Sequence, residues 1–202
     1  MPRHRSQHGI TAAAGFSLIE LLVVISIILI ISAMSFMQIQ STLRRAKSET
    51  ALQTVLGQMR QAHEAASDRR RIYRLTFLPP GSIQLDRMDV DVKGNLTAVF
   101  QSTTVLPVEI SFQVVPGLPK AGPDGFGTGA TAIDFGIDNG GGMNQVFFLP
   151  DGRAVDTVNR LNNGVIYMGR PNEVESVRAV TLLGATGRTK PWLVSNGVWV
   201  QP

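Results

Sequence analysis

The chain reads as an α+β fold, with one long N-terminal helix packed on an antiparallel β-sheet globular domain. Three features of its 202 residues predict this. No proline falls between residues 16 and 68, an apolar stripe at helical spacing runs through the second half of that stretch, and short β-type runs punctuated by Gly and Pro follow it. The length suits one domain with an appendage and leaves no room for a large multidomain enzyme. Hydrophobic residues make up 44% and charged residues 17%, which excludes a disordered chain and directs attention to where the apolar excess lies.

Residues 1–15 form a polar, basic, acid-free leader containing Arg3, His4, Arg5 and His8. Residues 21–37 then carry no charge, and their only polar members are Ser26, Ser32 and Ser35. Residues 16–39 number 24, and at 1.5 Å per residue they extend about 36 Å, enough for one crossing of a bilayer core. A secretory signal has a shorter apolar core followed by a small-residue cut site. Here the small residues Ala12-Ala13-Ala14-Gly15 come first, so the helix is expected to stay on the mature chain. The basic leader predicts a cytoplasmic N-terminus and a single pass, with the rest of the chain facing outward.

Glu20 interrupts the apolar segment, where a carboxylate is costly and implies a partner. A cut after Gly15 creates an α-ammonium on Phe16, four residues away, and the two groups can pair between neighbouring helices. The spacing fits equally an ordinary anchor whose membrane edge Glu20 marks. The run Gly15-Phe16-Ser17-Leu18-Ile19-Glu20-Leu21-Leu22-Val23-Val24 resembles the class III signal of type IV pilins and type II secretion pseudopilins. That resemblance implies cleavage after Gly15 by a prepilin peptidase, methylation of Phe16, and a role for Glu20 in aligning subunits that join a filament. It also implies an inner-membrane protein with a periplasmic globular domain, whose partners are other pseudopilins and membrane lipid.

Residues 40–68 continue the helix as an amphipathic half, with Leu52, Val55, Met59, Ala62 and Ala66 at steps of three and four. Gly57 weakens this half without ending it. Asp68-Arg69-Arg70-Arg71 marks the exit, where cations suit the helix C-terminus and form a solvated face. Residues 69–202 make the β-rich domain. Strands are expected at 72–78, 82–86, 96–100, 105–114, 132–135, 145–149, 165–168, 177–183 and 198–201. The glycine-dense stretch 120–144 reads as a long mobile surface loop broken by one short strand.

Few residues in the mature chain offer chemistry. There is no cysteine, hence no disulfide, no thiol nucleophile and no Cys-containing zinc site. Gly125-Phe126-Gly127-Thr128-Gly129 has the glycines of a phosphate loop but not its Lys. His63 reads as a helix-surface residue rather than one member of a triad. The pairs Asp134 with Asp138 and Asp89 with Asp91 supply too few ordered oxygens for calcium. No enzyme activity, cofactor or metal is therefore expected. The formal charge of +4 includes Arg3 and Arg5 of the leader, so global charge says little about nucleic acid.

The C-terminal third narrows the resemblance. Phe147-Phe148-Leu149-Pro150-Asp151-Gly152-Arg153 and the strand 177–183 leading to Gly184-Ala185-Thr186-Gly187-Arg188 are similar to the GspH and FimT branch of minor pseudopilins. The resemblance implies a structural subunit of the type II secretion pseudopilus that supports export of folded proteins across the outer membrane. Its alternative is a FimT-type minor type IV pilin that binds DNA for natural transformation. Gly187-Arg188-Thr189-Lys190 departs from that branch's Gly-Arg-x-Arg segment by Lys for Arg, which keeps the cation but loses the forked donor. Arg170, Arg178, Arg188 and Lys190 are the candidate DNA contacts, with Trp192 available to stack on a base. A solvated strand end with a core Trp explains the same residues.

Overall fold

The computed structural model describes residues 17–127 and 129–202, excepting the side chains of residues 35–41 and 139. Helix α1 (Leu18–Arg69) contains the boundary between two compact units, Met1–Thr42 and Leu43–Pro202.

In the first unit the helix is apolar on every side. Leu18, Leu22, Ile28 and Met34 are among its exposed large side chains, and a helix of this kind must be covered by something other than water. Ser26 keeps its hydroxyl satisfied by donating to the Leu22 carbonyl at 2.8 Å. Among the described residues no helical window is long and apolar enough to cross a membrane. The described side chains at 18–34 cover about 26 Å, short of a core of about 30 Å. The expected span over 16–39 extends beyond them at both ends.

In the second unit the same helix changes character. Ala51, Leu52, Val55, Leu56, Met59, Ala62 and Ala66 are at most 2% exposed, which adds Ala51 and Leu56 to the expected stripe. Each large member contributes about 1.5–3 kcal/mol by leaving water, while the alanines permit close approach. Arg70 ends the helix in the left-handed region at φ 51°, and the Arg71 N–H bonds the Ala66 carbonyl at 3.2 Å. This is a Schellman-type stop with arginine where glycine is usual.

The stripe packs on two antiparallel sheets rather than one. The first contains β1 (Ile72–Leu78), β2 (Ser82–Val90), β3 (Leu96–Val105), β6 (Gln145–Phe148) and β7 (Ala154–Val155), in the order β3-β2-β1-β6-β7. The second contains β4 (Ser111–Phe112), β8 (Gly164–Arg170), β9 (Glu173–Leu183), β10 (Arg188–Ser195) and β11 (Val198–Val200), in the order β11-β10-β9-β8-β4, with β5 (Ile133–Phe135) also on β8. Tyr73, Leu75, Phe77 and Phe148 from the first sheet and Ile166, Met168, Val180 and Leu182 from the second share one core with the helix.

Three expectations need correction. The strand over 105–114 is replaced by a loop and the two residues of β4, because Pro107 lacks a donor and Glu109 turns to φ 78°. Strand β10 is an addition, and its Pro191 is tolerated because β11 pairs only from Leu193 onward, leaving that side of β10 open. The stretch 120–144 is not a free surface loop. Pro123 is buried in it, β5 is fully buried, and a Cβ on Gly127 would lie 2.4 Å from Val165 Cγ1. With Leu118 and Phe126 it helps cover the outer face of the second sheet around Val165, Tyr167 and Ala179.

Candidate functional site

Gly15 and Phe16 lie outside the described residues. Glu20 falls in the first turn of α1, where the positive end of the helix dipole favours a carboxylate. It is exposed, and among the described residues it forms no ion pair.

The candidate basic patch divides between the two faces of the second sheet. Arg178 lies on the same face of β9 as Val180 and Leu182, which face the helix, and Arg170 also points that way. The Arg170 side chain is only 8% exposed, 3.3 Å from each of Glu109 and Glu173, and it donates to the Arg44 carbonyl. Arg178 donates to the Glu175 and Val177 carbonyls at 2.9 and 3.0 Å. Its burial lowers the guanidinium pKa, as does the neighbouring Arg45 charge, against an opposing pull from Glu49.

Arg188 and Lys190 share the opposite face, since Lys190 pairs with Thr181 and Arg188 with Leu183. Lys190 Nζ reaches both oxygens of Asp124, at 2.6 and 2.7 Å, and lies 5.8 Å from the Trp192 ring centre. Trp192 donates its indole N–H to Thr181 Oγ1 at 3.0 Å and packs with the outer-face cluster. Arg188 is exposed, with no side-chain hydrogen bond or ion pair among the described residues. The structure thus brings Arg188, Lys190 and Trp192 together and leaves Arg170 and Arg178 elsewhere. The partners Glu109 and Asp124 were not legible in advance, because each stands more than sixty residues from its cation along the chain.

The two C-terminal motif segments do meet. The Gly152 N–H closes a turn on the Leu149 carbonyl at 3.0 Å, and Asp151 accepts from the Arg153 amide and guanidinium. Hydrogen bonds from the Arg153 backbone and side chain hold the Asp151 carboxyl below its ordinary pKa. Gly187 sits against this turn, so that a Cβ would lie 2.6 Å from the Gly152 carbonyl oxygen and 2.5 Å from His63 Cδ2. His63 Nε2 donates to that same carbonyl at 3.1 Å, and its ring meets Phe148 edge-on. His63 is therefore a half-buried bridge between helix and turns, not the plain surface residue expected.

The aspartates considered for calcium have local partners. Asp89 pairs with Arg87, Asp91 accepts from the Lys93 and Asn95 amides, Asp134 from the Gly142 amide, and Asp138 from Asn163. Among the described residues no group of three or more potential ligands could hold a metal ion.

Residues 10–36 match the prokaryotic N-terminal methylation motif. That match supports a type IV pilin-like reading of the chain. A crystal structure of the type IV minor pilin FimU of Pseudomonas aeruginosa is similar, with a TM-score of 0.46 and 10% identity, over 78% of this chain and 95% of that one. No curated protein matches the chain in sequence.

Proposed function

We propose that the protein is a minor pseudopilin, a structural subunit of a type II secretion pseudopilus that supports export of folded proteins across the outer membrane. The methylation motif over residues 10–36 carries this reading. Prepilin peptidase cuts after Gly15 and the new N-terminus on Phe16 is methylated. The apolar helix holds the subunit in the inner membrane, with the globular domain in the periplasm, until assembly. Helices then leave lipid for one another. Glu20 meets the Phe16 ammonium of a neighbour instead of staying unpaired in an apolar environment. The catalytic chemistry in this scheme belongs to the peptidase, and the subunit contributes surface and shape.

Support for the DNA-receptor alternative narrows to Arg188, Lys190 and Trp192, and Lys190 is already engaged by Asp124. Two cations on one strand provide little of the phosphate neutralisation that drives tight binding.

Glu20→Ala tests the assembly role. The variant is expected to be cut normally and to be depleted at least tenfold from the sheared filament fraction, measured by immunoblot against membrane-retained protein. Recovery equal to wild type would remove Glu20 from the mechanism.

A further inference from the structure

The two sheets of the second unit end in edges of different kinds. Strand β11 has three residues, β4 and β7 have two each, and the open half of β10 carries Arg188, Lys190 and Pro191. Short length, charge and proline are devices that keep an edge from accepting another strand. Strand β3 has none of them. Its ten residues contain no charge, no proline and no glycine, and its far side pairs with no strand among the described residues. Leu96, Phe100 and Val105 are 51%, 60% and 67% exposed. Midway along, the Gln101 amide donates to the Val99 and Phe100 carbonyls at 3.2 and 3.1 Å, so that a side chain stands on acceptors that a neighbouring strand could use.

A bulge decides which strand fits. Strands β2 and β3 pair from Ser82 with Val105 to Val90 with Leu96, but Leu85 pairs with Ser102 and Asp86 with Phe100. Gln101 is thus an extra residue, and ten residues supply nine ladder positions. Ser102 and Thr104, opposite the core residues Leu85 and Ile83, face inward with Val99 and Thr97, while Leu96, Ala98, Phe100, Thr103 and Val105 face outward. With an odd number of positions, β3 laid antiparallel on another β3 along its full length puts like faces together. An even number would set every outward side chain opposite an inward one. In the matched register Phe100 meets its own copy, Leu96 meets Val105, Ala98 meets Thr103, Val99 meets Ser102 and Thr97 meets Thr104. Every pair is uncharged, and aromatic and Thr–Thr pairs are kinds that stabilise a ladder.

We propose that β3 is a self-association surface whose partner is β3 of a second copy of this chain, the two five-stranded sheets joining across an antiparallel two-fold axis at Phe100. Backbone N–H groups of the second strand replace the Gln101 amide at the edge. The contact uses neither Glu20 nor the apolar helix, so it stands or falls apart from the pseudopilin reading.

The test uses the full chain in detergent micelles. The chain contains no cysteine, so introduced thiols report on this contact alone. Phe100→Cys is expected to give a disulfide-linked dimer on mild oxidation, because opposed residues of an antiparallel pair bring their Cα atoms to about 4.5–5.5 Å. Leu96→Cys and Val105→Cys should link to each other when mixed, and neither should link to itself, since like positions lie about 27 Å apart in this register. Sedimentation equilibrium should show the dimer weakened about tenfold or more by Phe100→Lys, which opposes two like charges at an exposed position, while circular dichroism stays unchanged. A wild-type chain that stays monomeric and gives no Phe100→Cys dimer would overturn the proposal. So would a dimer indifferent to Phe100→Lys, which would place the contact on another surface such as the apolar helix. Self-linking of Leu96→Cys as fast as its mixed pair would overturn the register, and Phe100→Cys that links only to a different protein in the producing cells would replace the second copy with a foreign strand.

Discussion

Gly187 shows how one residue can be restricted twice. Its φ of 63° favours glycine, and any Cβ would strike both the His63 ring and the Gly152 carbonyl. The ring can rotate, but the carbonyl belongs to a closed turn. Gly187→Ala is therefore expected to destabilise the domain by about 2 kcal/mol or more, read as a lowered Tm, with only partial recovery when His63→Ala is added. Asp156 carries a different dependence. Its buried carboxylate accepts from the Val158 and Arg160 amides and pairs with the Arg160 guanidinium at 2.8 Å. Burial pushes its pKa up, but these hydrogen bonds outweigh burial and leave it below the ordinary value. A depressed carboxylate stabilises the fold above its unfolded pKa and loses that contribution as pH falls through the folded value. The Tm gap between wild type and Asp156→Asn should stay constant above about pH 5 and close below about pH 4. Residue identity alone showed that Arg170 and Arg178 are cations, not that β8 and β9 turn them toward the helix. A charge is local information, whereas its partner is supplied by topology.

At the scale of elements, α1 was legible because two patterns overlap without a break. An unbroken apolar run meets an apolar stripe at helical spacing, and no proline intervenes. Its exit was legible only as a run of arginines. The stop itself depends on Arg70 in the left-handed region, which costs a residue with a Cβ about 1–2 kcal/mol. Arg70→Gly should relieve most of that cost, and a urea titration should give a higher midpoint with an unchanged slope. Strand β1 matched its expected limits, since Ile72–Leu78 alternates cleanly between core and surface. Strand β10 was hidden because Lys, Pro and Arg weaken the β signal, and only its ladder to β9 makes it a strand. The glycine-dense stretch misled for the opposite reason. Glycine there permits close approach to Val165 rather than loop mobility.

At the scale of the whole molecule, the two units bury apolar surface by different means. Leu43–Pro202 builds its own core from one helix face and two sheets. The described residues of Met1–Thr42 have apolar side chains that remain exposed and need an external cover. Lipid before assembly and neighbouring helices after it would meet that need in turn, so the pilin-like reading explains why the chain carries an apolar helix it does not bury itself. The leader is the switch in this account, because its removal creates the ammonium that Glu20 requires. The most direct measurement is the intact mass and N-terminal sequence of the full chain after co-expression with a prepilin peptidase. The expected product is a chain that begins at Phe16 and carries one added methyl group, and Gly15→Leu is expected to leave uncut precursor in the membrane. An unprocessed wild-type chain, or normal maturation of Gly15→Leu, would contradict it.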